Sequence, residues 1–147
     1  MKLDILAIGA HPDDVELGCS GTLAKEIKNG KTVGILDLTK GELGTRGTDE
    51  TRRLEADEAK NILGVAVREN LGIPDSFFLN DKENQLKIIE VIRKYQPDVI
   101  LSNAPHDRHP DHGKASDLVN NAIFLSGLPK IENGLPLEDV VNTLIYA

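Results

Sequence analysis

Short apolar runs rich in Ile, Leu and Val recur along the chain and alternate with stretches whose apolar residues repeat at helical spacing. Five strands are predicted, at 3–9, 32–38, 66–71, 98–103 and 143–147, with the faintest pattern at 66–71. Ile88, Val91, Ile92 and Tyr95 share one helical face, as do Ala115, Leu118, Val119, Ala122 and Ile123. A helix over 14–28 is expected to turn Leu17, Gly21, Ala24 and Ile27 inward and to stop at Asn29-Gly30. Another over 49–63 is expected to turn Leu54, Ala59, Ile62 and Leu63 inward, closed by Gly64. This alternation predicts a single α/β domain spanning 1–147, with a mainly parallel sheet covered on both faces.

The connections 40–48, 72–81 and 104–112 are too long or too polar to be plain turns, and such loops carry function. In open α/β sheets the ligand crevice lies beyond the carboxyl ends of the strands, where strand order reverses. A Rossmann-like three-layer α/β/α arrangement with order near 3-2-1-4-5 makes strands one and four neighbours at that point. GAHPDDVELG (9–18) follows strand one and APHDRHPDH (104–112) follows strand four, so distant residues would meet there. KGELGTRGT (40–48) would open on the same edge.

Composition narrows the partners. The 147 residues carry a formal charge of −7, and the 17 basic residues are scattered rather than striped, which argues against nucleic acid and for a small molecule. The single cysteine, Cys19, cannot form an internal disulfide; it reads as a packed apolar residue and suits a reducing, cytoplasmic setting. No apolar run approaches the roughly 20 residues of a membrane helix, and Asp4 with the following HPDD disfavours a secretory signal.

His11, Asp14 and His112 offer two imidazoles and a carboxylate with an open side, the donor set of a catalytic zinc site with three protein ligands and water. His11 and Asp14 can face the same way across a strand-to-helix turn, leaving Asp13 aside as an outer or catalytic carboxylate. Asp13 would take the proton of a metal-activated water, while a protonated His109, kept charged by Asp111, would hold an oxyanion. That combination suits amide hydrolysis. Simpler readings compete: Asp13 or Asp14 as N-cap, Glu16 as a helix-dipole partner, His106 and Arg108 as loop charge, Pro110 as a turn residue. DETRRLEADEAK reads as a solvated helix face with pairs such as Arg52 with Glu55, which leaves Glu42, Arg46, Arg52 and Arg53 open as substrate contacts. Neither GELGTRG nor GAHPDDVELG fits a nucleotide-binding glycine pattern.

AHPDDVE at 10–16, GTDETRRLEA at 47–56 and DRHPDH at 107–112 together resemble the PIG-L/LmbE family of zinc-dependent N-acetylglucosaminide deacetylases. The nearest likeness is to the bacillithiol-biosynthesis deacetylases. The resemblance implies a Rossmann-like fold and hydrolysis of the N-acetyl group of a GlcNAc conjugate, with GlcNAc-malate as the candidate, giving acetate and a free amine. It implies one Zn2+ per chain on His11, Asp14 and His112, Asp13 as general base, His109 at the oxyanion and Arg52 on the substrate. Glu42 and Arg108 are taken as further substrate contacts, and Asp111 as part of the catalytic set. A homo-oligomer is implied as well. Family members extend past the point where this chain stops and add active-site residues there, so a missing C-terminal segment is expected. Two rivals stand beside this reading: a catalytically incomplete metal- and sugar-binding module, and a non-haem iron enzyme using the same two histidines and carboxylate.

Overall fold

The structure, a computed structural model, describes residues 1–132 and the backbone of 144–146. Its elements run β1 (Ile5–Gly9), α1 (Asp14–Lys28), β2 (Val33–Asp37), α2 (Asp49–Leu63), β3 (Val67–Asn70), α3 (Lys82–Tyr95), β4 (Val99–Leu101), α4 (Pro110–Ser126) and β5 (Leu144–Tyr146). The sheet has the expected order, β3-β2-β1-β4-β5. Every described pairing is parallel, with Ile5 of β1 opposite Val33 on one side and Val99 on the other. The strands are shorter than the apolar runs predicted. β4 stops at Leu101 because Ser102 and Asn103 leave the ladder, and the Asn103 side chain bonds to the neighbouring loop. The outer positions of the predicted fifth strand, 143 and 147, lie outside the described residues.

Alternation along β1 divides the interior into two layers. Leu6 and Ile8 join Leu36, Leu38 and Ile100 against α3 and α4, through Ile88, Ile92, Leu118 and Val119. Ala7 joins Val33 and Ile35 against Val15 and Leu23 of α1. The inward faces expected for α3 and α4 are the observed ones.

The faces expected for α1 and α2 are not. Leu17 is 83% exposed, and Gly21 and Ala24 also face out; the buried stripe is instead Val15 and Leu23, with Cys19 and Ile27 half-buried against the same layer. Residues four apart stay on one side of a helix, and Val15, Cys19, Leu23 and Ile27 make the more continuous apolar row. On α2, Leu54 and Ile62 are 53% and 77% exposed, while Ala56 is buried with Ala59 and Leu63 half-buried. The row Arg52, Ala56, Ala59, Leu63 faces in, which turns Arg52 toward the sheet edge. Pro110 is also not a turn residue: it occupies the first turn of α4, where its fixed φ and missing N–H fit a helix start, so His112 sits on a helix.

One buried cation braces the loop after β1. Arg68 of β3, whose side chain is 4% exposed, donates to Asp37 of β2 (2.7 Å from Nε), to Glu16 of α1, and to the Ala56 carbonyl of α2 (3.2 Å). Its Nη2 also donates to the Pro12 carbonyl at 2.9 Å, between His11 and Asp13. Burial lowers the pKa of Arg68, but its bonds to Asp37 and Glu16 outweigh that and raise it above its ordinary range. Glu16 therefore does more than complement the helix dipole. Arg68→Met is expected to destabilise the fold by about 3–5 kcal/mol in urea unfolding, because Asp37 would remain buried without its partner. A loss below about 1 kcal/mol would show the brace to be dispensable.

Candidate metal centre

The parallel sheet delivers three loops to one edge, and the close turn between β1 and α1 aims the first of them. A Cβ on Gly9 would lie 3.0 Å from the Asp14 Cβ and 3.2 Å from the His11 carbonyl, so glycine lets α1 begin directly on the strand end. Asp14 then accepts from the His11 backbone N–H at 3.0 Å. Asn103, just past β4, joins the two sides of the switch point: it accepts from Ala10 N at 2.9 Å and donates to Asp14 Oδ2 at 3.1 Å.

The expected triad converges. One ligand atom from each of His11, Asp14 and His112 lies within 4.8 Å of the others. Asp14 bridges the pair, with Oδ1 3.1 Å from His112 Nε2 and Oδ2 3.5 Å from His11 Nδ1. Donors about 2.0–2.1 Å from a tetrahedral ion stand roughly 3.3 Å apart, so the two separations from Asp14 are of the size a zinc ion needs. The outward nitrogens are also committed to carboxylates, as metal-binding histidines generally are. His112 Nδ1 is 3.0 Å from Asp107 Oδ2, and His11 Nε2 is 3.1 Å from Asp75 Oδ1. A cleft of about 470 Å³ runs beside Asp14 and His112, lined by Leu17, Cys19, Leu101 and Ala104.

A second cluster shares His11 with His109 and Asp111. Asp111 is 2% exposed, and its Oδ2 has no hydrogen-bond partner among the described residues, lying 3.4 Å from His11 Nε2. Asp111 thus differs from its expected partnership: its carboxylate faces His11 and Lys114, not His109. Its link to His109 is a backbone one, with the Asp111 N–H donating to His109 Nδ1 at 3.3 Å, so that His109 caps α4. That leaves the proton of a neutral His109 on Nε2.

The remaining candidates separate by environment. Asp13 occupies the N-cap position of α1 yet makes no side-chain cap bond and is exposed, so the capping reading fails and the carboxylate is left accessible. Arg53, not Arg52, carries the ion pairs of the solvated face, to Glu50 at 2.8 Å and Asp57 at 3.0 Å. Arg52 makes no ion pair among the described residues; its guanidinium lies in the 40–48 loop against Gly41 and Gly44, where a Cβ would collide with it. Glu42 accepts from the Asp75 backbone N–H at 2.8 Å. Arg108 and His106 are exposed in the loop after β4.

Asp75, Asn103, Asp107 and Arg68 complete the site, and sequence reasoning assigned none of them a role. Asp107 lies inside the quoted DRHPDH, and Asp75 inside a loop marked as functional. Neither has a spacing that sets it apart from ordinary turn residues.

Charge ties the centre together. Burial works against a charged His11, but its hydrogen bond to Asp14 and the charges of Asp14 and Asp75 prevail and raise it to about 9. Burial likewise opposes ionised Asp14, yet hydrogen bonds from His11 and Asn103 and the charge of His112 lower it to about 2. Without metal, His11 is therefore cationic at neutral pH. Its folded value lies above the ordinary 6.5, so its stabilisation is complete below that and disappears as pH rises through about 9. Metal must displace this proton. Zinc affinity is expected to fall about tenfold per unit as pH drops below 9, measured by chelator competition. Affinity flat from about pH 6.5 to 8.5 would contradict the raised pKa of His11.

Comparison with known proteins identifies the family of the chain. A family profile described as PIG-L, GlcNAc-PI de-N-acetylase, matches residues 6–123. The diacetylchitobiose deacetylase of Thermococcus kodakarensis is 35% identical over 135 residues, covering 85% of this chain and 51% of that protein. The conserved protein TT1542 from Thermus thermophilus superposes with a TM-score of 0.88 at 43% identity, over 97% of this chain and 64% of that one. GalB, the 4-carboxy-2-hydroxymuconate hydratase of Pseudomonas putida, superposes at 0.82 with 28% identity, over 97% and 63%. The chain spans about half the length of the curated diacetylchitobiose deacetylase and under two thirds of either structure. With a match running from β1 through α4 and taking in both histidine-bearing loops, the chain belongs to the PIG-L (GlcNAc-PI de-N-acetylase) family.

Proposed function

We propose that this chain carries the centre of a zinc-dependent N-deacetylase that removes the acetyl group from a GlcNAc conjugate, releasing acetate and a free amino sugar. The observation that carries the reading is the convergence of His11, Asp14 and His112 beside an accessible Asp13 that caps nothing. GlcNAc-malate is the first substrate to test, from the likeness of the motifs to bacillithiol-biosynthesis deacetylases. A cytoplasmic homo-oligomer belongs to the same reading. Among the described residues no helix is long and apolar enough to cross a membrane.

Bound zinc would polarise the acetyl carbonyl and bring the pKa of a water from about 15.7 to near 7. Asp13 would take a proton from the attacking water as the water oxygen forms the new bond to the acetyl carbon. The same carboxyl then protonates the leaving nitrogen as the C–N bond breaks, so the acid and the amine separate, and the acid's remaining proton passes to the amine or to solvent to leave acetate. His109 donates from Nε2 to the oxyanion, a direction favoured because its Nδ1 already accepts from Asp111 N. Arg52, held in the 40–48 loop without a carboxylate partner among the described residues, is the substrate contact of choice, with Glu42 of the same loop and the exposed Arg108 as further candidates.

The hydratase relative and the iron alternative both make metal content and product identity the deciding readouts. The test is acetate release from GlcNAc-malate, diacetylchitobiose and GlcNAc, by this chain and by a C-terminally extended one. Asp13→Asn should keep zinc bound while lowering turnover by about 10²–10⁴-fold. Undiminished acetate release in that variant refutes the mechanism. Oxygen-dependent turnover by iron-containing protein would favour the iron reading, and zinc and sugar binding without acetate release the binding module.

A further inference from the structure

Asp75 has no place in the chemistry above, yet it is 5% exposed and touches the centre directly. Its loop is pinned on either side by core residues, Ile73 (0% exposed) and Phe78 (2%), and Lys114 of α4 donates to the adjacent Ser76 carbonyl at 2.8 Å. Each Asp75 oxygen has one separate partner. Oδ1 lies 3.1 Å from His11 Nε2, and Oδ2 accepts from the Leu43 backbone N–H at 3.1 Å. Glu42, next to Leu43, accepts from Asp75 N at 2.8 Å, so the loops after β2 and β3 are clamped from both directions.

We propose that Asp75 is a positioning residue that fixes the His11 ring for metal binding and fastens the 40–48 loop to that same ring. A buried carboxylate must be satisfied by donors, and the two available here are the imidazole N–H and the Leu43 amide. Keeping the proton on His11 Nε2 leaves the Nδ1 lone pair directed to the side where Asp14 lies. The clamped loop is the one whose Gly41 and Gly44 flank the Arg52 guanidinium. Metal ligand and candidate substrate cation are thereby referred to one carboxylate.

The inference rests on the metal-site reading, and its test is a binding measurement that needs no turnover. Zinc affinity is measured by chelator competition on wild type, Asp75→Ala and Asp75→Asn, each checked for folding by circular dichroism. The Nε2–H of His11 is followed by nitrogen-15 NMR in the zinc-loaded proteins, and trypsin cleavage at Arg46, exposed in the 40–48 loop, by mass spectrometry. Asp75→Ala should bind zinc about 10–100-fold more weakly, lose the Nε2–H signature and be cut faster at Arg46. Asp75→Asn covers the case in which the alanine variant does not fold. An amide has one oxygen for two donors, so either zinc affinity drops or cleavage at Arg46 rises. A folded alanine variant within about threefold of wild-type affinity, or an asparagine variant unchanged in both readouts, overturns the role of Asp75 alone. Wild-type protein that binds no zinc overturns the metal reading and this one with it.

Discussion

Concentrated buried negative charge is the constraint around which the site is organised. Asp14, Asp75 and Asp111 bring carboxylate oxygens to 3.5, 3.1 and 3.4 Å from the ring nitrogens of His11. Carboxylates taken out of water so close together require a cation among them. In the metal-free protein a proton on His11 supplies it, which is why that ring holds its charge to about pH 9. A divalent ion between His11, Asp14 and His112 would supply it more completely. The unsatisfied Oδ2 of Asp111 belongs to the same imbalance.

The fold answers this demand by stiffening the loops that carry the charges. Parallel pairing of β1 with both β2 and β4 sends their following loops to one edge. Asn103 then fastens the β1 loop to the β4 loop, and Arg68 fastens it to β2, α1 and α2 from below. His109 capping α4 brings His112 onto the first turn of a rigid helix. Each metal-binding candidate therefore rests on a strand end or helix start, and the Asp75 contact to His11 comes from a loop anchored in the core by Ile73 and Phe78. The hydratase relative shows that such a scaffold serves more than one reaction, so the chemistry has to be argued from Asp13, His109 and the substrate rim.

What could be seen in the sequence follows the range of the interactions involved. Strand order, the inward faces of α3 and α4, and the meeting of His11, Asp14 and His112 follow from periodicity and topology, which are regular. The inward face of α1 is open to two readings because Leu17, Gly21 and Ala24 compete with Val15, Cys19 and Leu23, and only packing against Ala7 and Ile35 decides. Arg68 lies in VREN, where nothing local distinguishes a buried brace from a solvated edge residue; its partners are 12 to 56 positions away. Asp75 is 64 residues from His11, and Pro-Asp-Ser is ordinary turn chemistry. Pro110 is the reverse case, a residue whose local preference fits both a turn and a helix start, with the His109 cap deciding for the helix.

X-ray absorption on zinc-loaded protein tests most directly whether His11, Asp14 and His112 hold one metal ion. The predicted spectrum has two imidazoles with oxygen donors at about 2.0–2.1 Å, falling to one imidazole in His112→Ala. A sulfur shell near about 2.3 Å, placing Cys19 on the metal, or two imidazoles retained in that variant, would contradict it.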